Sequence, residues 1–146
     1  MNHLETAELG FNAARREIER RGGCDVGAQK EGHRRFLTYT GRDGNRYEVT
    51  TRSKRKGDWQ TSIDYGEECL ENPVEREFLL FVDLEYDPPK FYPVPLWWIK
   101  NDIYTAFQAF KERHGGHRPR NPNSTHHKVR SNRIKRWESR WSEMAL

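Results

Sequence analysis

The sequence predicts an α+β fold in which a mixed central β-sheet is flanked by helices. Three observations carry this prediction: a helical period near the N-terminus, an Asp-Gly pair between two strand-like runs, and the nearly continuous apolar run FLLFVDLEY. Helices and strands in this order pack as layers around one core. At 146 residues the chain is expected to form a single domain, with a core over about residues 4–113 and a basic loop and helix over 114–146.

Composition excludes several classes of protein. Phe, Trp and Tyr make up 12% of the chain, whereas disordered chains are poor in aromatic residues. No apolar run approaches the ~20 residues of a membrane span, and two cysteines are too few for a disulfide scaffold. The N-terminal segment MNHLETAELG lacks the basic and apolar regions of a signal peptide, so a cytoplasmic location is expected.

The first element is a helix from Leu4 to Arg21. Its apolar residues follow one stripe of a 3.6-residue period: Ala7, Phe11, Ala14 and Ile18. Acidic residues come early and arginines late, which complements the helix dipole. Gly22 and Gly23 then end the helix.

Strands are expected next, at Cys24–Gln29, Arg35–Thr40 and Arg46–Ser53, and the Asp-Gly pair at 43–44 joins the last two in a hairpin. The run from Phe78 to Tyr86 is typical of a buried central strand. A fifth strand at Phe91–Val94 must lie at a sheet edge or end soon, because Pro93 and Pro95 lack amide donors.

Two further helices are expected. The first runs from Leu96 to Arg113 and ends at a Gly-Gly pair. Residues 115–125 are loop by composition. The last helix spans about Ser131 to Met144, with one apolar face: Ile134, Trp137, Trp141 and Met144.

Positive charge is concentrated at the C-terminal end. Residues 111–146 carry ten Lys and Arg against three acidic residues, whereas the first 110 residues carry 16 basic and 19 acidic residues. Such asymmetry indicates a polyanionic partner, although a basic solvated end would have the same composition.

Two basic clusters are candidate phosphate contacts. The first is a strand exit and loop in which an aromatic side chain could stack on a base, unless that tryptophan is turned into the core: Arg52, Lys54, Arg55, Lys56 and Trp59. The second is an Arg-rich stripe along the C-terminal loop and helix, which could instead be a solubilising face: Arg118, Arg120, Lys128, Arg130, Arg133 and Arg136.

Four of the six histidines fall within 14 positions: His114, His117, His126 and His127. Three imidazoles could bind a zinc ion and leave one position for water. The segment contains no cysteine, and the simpler interpretation is a capped helix in which one histidine packs or bonds a carbonyl. No metal site is therefore assigned there.

Several segments resemble the restriction-endonuclease-like, or PD-(D/E)XK, superfamily. Residues 50–62 (TTRSKRKGDWQTS) are similar to the third strand and exit loop of its small members, and residues 81–95 (FVDLEYDPPKFYPVP) to the hairpin that follows. Residues 113–129 are similar to the tail of a group of small bacterial proteins. The order of elements also matches, so the resemblance implies a restriction-endonuclease-like core with a basic helical extension.

The motif of that superfamily is degenerate in this sequence. Active members hold Mg²⁺ with acids from the first helix and from two strands, and a lysine assists the attacking water. Here Glu17 or Glu8 could serve from the helix and Glu48 from the third strand, but Thr50 stands at the lysine position. The resemblance leaves a displaced lysine and a further acid as candidates: Lys54, with Asp43, Asp64 or Asp83.

The sequence therefore predicts a nucleic-acid-binding protein of nuclease-like fold without an intact catalytic site, with duplex DNA as the expected partner and no cofactor. Two alternatives stay open. One is a Mg²⁺-dependent endonuclease that uses the acids named above. The other is a protein-interaction module, as a homodimer or as part of a larger assembly.

Overall fold

Two long helices and seven strands form the described part of the computed structural model, which covers residues 2–32, 34–71, 73, 75–113 and 126–146. The helices are α1 (His3–Arg20) and α2 (Leu96–Arg113). The strands are β1 (Cys24–Glu31), β2 (Arg34–Thr40), β3 (Arg46–Lys54), β4 (Trp59–Ser62), β5 (Glu77–Asp83), β6 (Lys90–Pro95) and β7 (His126–Val129). No helix among these residues has the length and apolarity to cross a membrane.

Five of the strands form one mixed sheet in the order β1-β2-β3-β5-β6. All neighbours pair antiparallel except β3 and β5, which are parallel. The predicted α+β class with a mixed central sheet is confirmed, and the proline-bearing strand β6 lies at the edge as expected. The predicted hairpin is β2–β3, in which the amide of Gly44 bonds the carbonyl of Gly41 at 3.1 Å.

The sheet buries a different core on each face. Helix α1 covers one face, where Phe11, Ala14 and Ile18 pack on residues such as Leu37 and Val49. Helix α2 covers the other face through Ile99 and Ile103, together with β4 and β7. Because side chains alternate along a strand, this division assigns every β3 residue to one of the two faces.

The predicted helix at Ser131–Met144 is wrong. The chain there forms three short 3₁₀ turns, at Ser131–Arg133, Lys135–Trp137 and Trp141–Met144. Ile134 and Trp137 pack into the core beneath α2, whereas Trp141 and Met144 pack into the core beneath α1. One helix could not reach both faces, so the segment turns around the edge strand.

Helix α1 approaches the sheet closely at Gly10. A methyl group on Gly10 would lie 1.7 Å from Oγ of Ser53 and 2.5 Å from its Cβ. We expect Gly10→Ala to destabilise the fold by about 1–3 kcal/mol, although alanine is favoured over glycine in helices by about 1 kcal/mol. Urea unfolding measures the change, with Asn12→Ala on the exposed side of α1 as the control. A Gly10→Ala protein as stable as wild type contradicts this close packing.

Three buried tyrosines should make the fold sensitive to alkaline pH. Burial raises the pKa of Tyr39 far above its ordinary value. The pKa of Tyr47 and of Tyr92 is raised to about 12. Burial is the larger cause, and a neighbouring carboxylate is the second. The folded state therefore holds these protons more tightly than the unfolded chain, whose tyrosines titrate near ~10. Their stabilisation is complete below pH ~10 and is lost as the pH rises towards ~12.

We expect the free energy of unfolding to fall across this alkaline range. Tyr39→Phe loses the hydrogen bond that Tyr39 donates to the carbonyl of Met144 at 2.8 Å, so it should be less stable at every pH. It also lacks one of the titrating protons, so its stability should fall less steeply with pH. Urea unfolding at stepped pH compares the two slopes, and equal slopes would contradict the assignment to Tyr39.

Candidate nucleic-acid interface

Strands β4 and β7 form a separate two-stranded antiparallel sheet, called the ribbon below. Trp59 pairs with Val129, Gln60 with Lys128, Thr61 with His127 and Ser62 with His126. The two strands are more than sixty residues apart in the chain. Their pairing brings the basic exit of β3 next to the basic segment that precedes the C-terminal turns.

The ribbon has an inner and an outer face. Trp59 and Val129 are 1% and 2% exposed and pack into the core beneath α2. Gln60 and Lys128 point the other way and are exposed. The stacking role considered for Trp59 is therefore corrected, because its ring is buried and its indole NH donates to the carbonyl of Val82 at 3.1 Å.

Four cations lie on the outer face of the ribbon or at one end of it: Arg55, Lys56, Lys128 and Arg130. They are called the basic face below. All four are exposed, and Arg130 approaches Asp58 at 3.9 Å with its side chain 74% exposed. An exposed pair at that distance contributes little energy. Among the described residues no carboxylate lies within ion-pair distance of the other three, so this face carries largely uncompensated positive charge.

Arg52 lies deeper, on β3. Its guanidinium contacts the carbonyl of Thr51 at 3.4 Å, and burial lowers its pKa. It lines a cleft of about 750 Å³ that also includes Asn2, which caps α1, Thr6 of α1 and the turn at residues 55–58. Besides burial, the groups that act on its pKa are Tyr65 and Arg34, neither of which belongs to the basic face, so the phosphate contact through Arg52 stays a prediction.

Lys54 is not part of that free surface. Its side chain is 6% exposed, and its Nζ lies 3.1 Å from Oδ2 of Asp83 and 3.2 Å from Oε1 of Glu85. The parallel register places Lys54 beside Asp83, where β3 and β5 both end. The predicted phosphate contact through Lys54 is therefore corrected, because its ammonium group is buried and already paired with two carboxylates.

Two of the acids considered for a nuclease site, Glu17 and Glu48, lie away from the contacts of Lys54 with Asp83 and Glu85. Glu17 lies on α1. Hydrogen bonds from Arg20 and Arg21 lower its pKa, and the bond from Arg20 has the larger effect. Glu48 points to the opposite face of the sheet from α1 and bonds Arg34. It precedes Lys54 by six residues, which is about 20 Å along a strand. Of the predicted catalytic set, the structure brings together only Lys54 and Asp83.

The three other candidate acids for a nuclease site are Glu8, Asp43 and Asp64, and each lies in a different element or turn. Glu8 on α1 accepts hydrogen bonds from Lys30 and Arg35. Both bonds lower its pKa, and the bond from Lys30 has the larger effect. Asp43 lies in the β2–β3 turn and accepts a hydrogen bond from Tyr47. Asp64 lies in the 3₁₀ turn that follows β4.

The remaining C-terminal arginines differ in their availability. Arg133 donates two bonds to Asp102 of α2, at 3.0 and 2.6 Å. Arg136 lies over the ring of Trp137, 5.0 Å from its centroid, and is exposed. Arg118 and Arg120 lie outside the described residues. The charge of Arg133 is therefore paired with Asp102 of α2, whereas the charge of Arg136 remains exposed.

The histidines do not form a metal site in the part of the chain that the structure describes, where no group of three potential ligands occurs. His114 and His117 lie outside the described residues. His126 and His127 are neighbours on β7, so their side chains point to opposite faces of the ribbon. One is exposed and the other half-buried.

Sequence analysis missed two members of this region. Gln60 follows Trp59 just after the basic cluster, but it was not assigned a binding role because so short a segment gives no clear alternation. Glu85 was not singled out either, because it ends an apolar run that resembled a continuous strand. The only signal for Glu85 was its acidic neighbour Asp83, two residues earlier.

Comparison with protein-family models, with curated proteins and with solved structures found no match to this chain.

Proposed function

We propose that the protein binds nucleic acid, and duplex DNA in particular, through phosphate contacts made by the basic face. The pairing of β4 with β7 is the observation that carries this proposal. It gathers cations from two distant segments on one exposed surface, and it leaves three of them without a carboxylate partner among the described residues. A polyanion is the partner that such a surface attracts.

We also infer that the core is restriction-endonuclease-like. The element order supports this inference, because a helix is followed by the antiparallel strands β1, β2 and β3, and then by β5 parallel to β3. The exit of the third strand, which carried the resemblance, leads directly into the ribbon. On this account the fold presents DNA-binding groups without an assembled catalytic set.

The endonuclease alternative receives less support from the donor groups. Mg²⁺ prefers several oxygen ligands in octahedral geometry. The cluster at the ends of β3 and β5 offers Asp83 and Glu85, and the ammonium group of Lys54 already lies between them. These residues do not fit a magnesium site, and we derive no catalytic step from them.

Salt-dependent binding tests the proposal. Four phosphate contacts predict a slope of about −3.6 for log K against log salt on duplex DNA, or a roughly 100-fold loss of affinity between about 50 and 200 mM salt. The experiment is fluorescence anisotropy with a duplex of about 25 base pairs, followed by electrophoresis of that DNA with and without Mg²⁺. Affinity that is independent of salt contradicts the proposal, and cut DNA supports the enzyme instead. If the protein does not bind the duplex, the protein-interaction module is the alternative that remains.

A further inference from the structure

The centre of the ribbon differs in chemistry from its surroundings. Gln60 and Lys128 lie directly opposite each other on the outer face, and both are exposed. Neither side chain has a hydrogen-bonding or ion-pair partner among the described residues. An amide and an ammonium group are therefore presented side by side to a ligand, with further cations at one end of the ribbon.

These two side chains match the edges of base pairs. Glutamine pairs with N6 and N7 of adenine, and lysine with O6 and N7 of guanine, both in the major groove. Directly opposed residues of antiparallel strands have Cβ atoms about 4.5–5.5 Å apart, while base pairs follow one another every ~3.4 Å. Gln60 and Lys128 can therefore reach adjacent base pairs.

The dimensions of the ribbon suit the major groove of B-form DNA. Its two strands lie about 4.8 Å apart, and the major groove of B-form DNA, about 12 Å wide, admits a two-stranded ribbon. The deep, narrow major groove of A-form RNA does not admit side chains in this way. The inner face of the ribbon packs on the domain through Trp59 and Val129, so the outer face is held rigidly for contact.

Three cations lie beside this centre, at one end of the ribbon. The turn that carries Arg55 and Lys56 precedes β4, and Arg130 follows β7, so these three cations lie at the same end of the ribbon. The phosphates bordering a groove would meet them while the middle of the ribbon lies over base edges. Phosphate contacts fix the position of a protein, and base contacts add sequence preference.

We propose that the ribbon enters the major groove of B-form DNA and that Gln60 and Lys128 read two adjacent base pairs there. Arg55, Lys56 and Arg130 then contact phosphates directly, and the ammonium group of Lys128 adds to the salt slope as a cation held in the groove between the two backbones. This inference rests on the proposed function and goes beyond it, since phosphate contacts alone give no sequence preference.

Selection from a pool of duplexes with a randomised core tests the inference. Wild type should enrich a short motif containing adenine and guanine, and Gln60→Ala and Lys128→Ala should each lose the preference at one position. Gln29→Ala is the matched control, because Gln29 is exposed on the edge strand β1. It should enrich the same motif as wild type.

Modified bases then identify the groove. Replacing purines of the selected motif by 7-deaza analogues removes the N7 acceptor and should weaken wild-type binding roughly 5- to 150-fold. Replacing guanine by inosine removes the minor-groove amino group and should leave affinity unchanged. Loss of a different position of the motif in each variant, together with 7-deaza sensitivity, supports the inference.

Four outcomes would overturn it. Salt-dependent binding without any motif, or a motif that survives in both variants, overturns the groove reading and leaves the proposed function standing. A motif that is insensitive to 7-deaza bases but sensitive to inosine assigns the contact to the minor groove and overturns it as well. Absence of DNA binding removes the proposed function and, with it, this inference.

Discussion

Replacing Lys54 by methionine should lower the free energy of unfolding by about 3–5 kcal/mol, the usual result of breaking a buried ion pair from one side. The methionine keeps most of the apolar stem of the lysine but leaves the carboxylate of Asp83 without its cation. The side chain of Asp83 is only 3% exposed, so water cannot replace the lost partner. Among the described charges, this pair is buried most completely.

A double-mutant cycle in urea isolates the pair. Lys54→Met with Asp83→Leu removes both charges and should recover much of the loss, because a well-packed apolar pair can replace a buried ion pair. Lys30→Met is the matched control, since the pair of Lys30 with Glu8 is exposed and should contribute less than about 1 kcal/mol. A Lys54→Met protein as stable as that control shows that the cluster does not hold the ends of β3 and β5 together.

Replacing all four cations of the basic face by glutamine should weaken binding to duplex DNA by roughly 10³-fold at about 0.1 M salt. Each lost phosphate contact removes about 0.9 from the salt slope, so the slope should approach zero. The substitutions are Arg55→Gln, Lys56→Gln, Lys128→Gln and Arg130→Gln. All are exposed, so thermal unfolding should change little.

The matched control removes four exposed cations from the other side of the sheet. It carries glutamine at Arg15, Arg16 and Arg20 of α1 and at Lys30, which bonds Glu8 of α1. Its net charge equals that of the first variant, so a general effect of charge would weaken both proteins equally. Equal losses would show that the basic face is not a defined interface.

Local patterns in the sequence predicted those elements whose stabilising contacts lie on one face or in one turn. Helix α1 follows from its apolar stripe, and the β2–β3 hairpin follows from the Asp-Gly pair. Strand β5 follows from a continuous apolar run, although it ends at Asp83 rather than Tyr86. In each case the period or the turn residue is a direct consequence of backbone geometry.

The C-terminal segment shows why the same reasoning failed elsewhere. Its apolar residues repeat with a helical spacing, but they are divided between the two cores because the chain turns around β6. At that turn Ser139 adopts a positive φ of 56° and bonds the carbonyl of Phe91 at 2.9 Å. Spacing reports how far apart residues lie along the chain, not which face of a sheet they reach.

The candidate interface was predicted only in its parts. Both basic clusters are visible in the sequence, but the pairing of β4 with β7 depends on residues more than sixty positions apart and has no local signature. Lys54 appeared to belong to an exposed loop, because the carboxylates that balance it come from β5 and the residues after it. Tertiary contacts therefore decided which of the cations remain available.

The central claim is that two distant segments form one phosphate-binding surface, and its most direct test compares two double variants on the same duplex. Arg55→Gln with Lys56→Gln alters the turn before β4, and Lys128→Gln with Arg130→Gln alters β7 and the residue after it. We predict that each lowers the magnitude of the salt slope by about 1.8 and that the effects add in the combined variant. If only one of the two pairs changes the slope, the two segments do not share one interface and the claim is wrong.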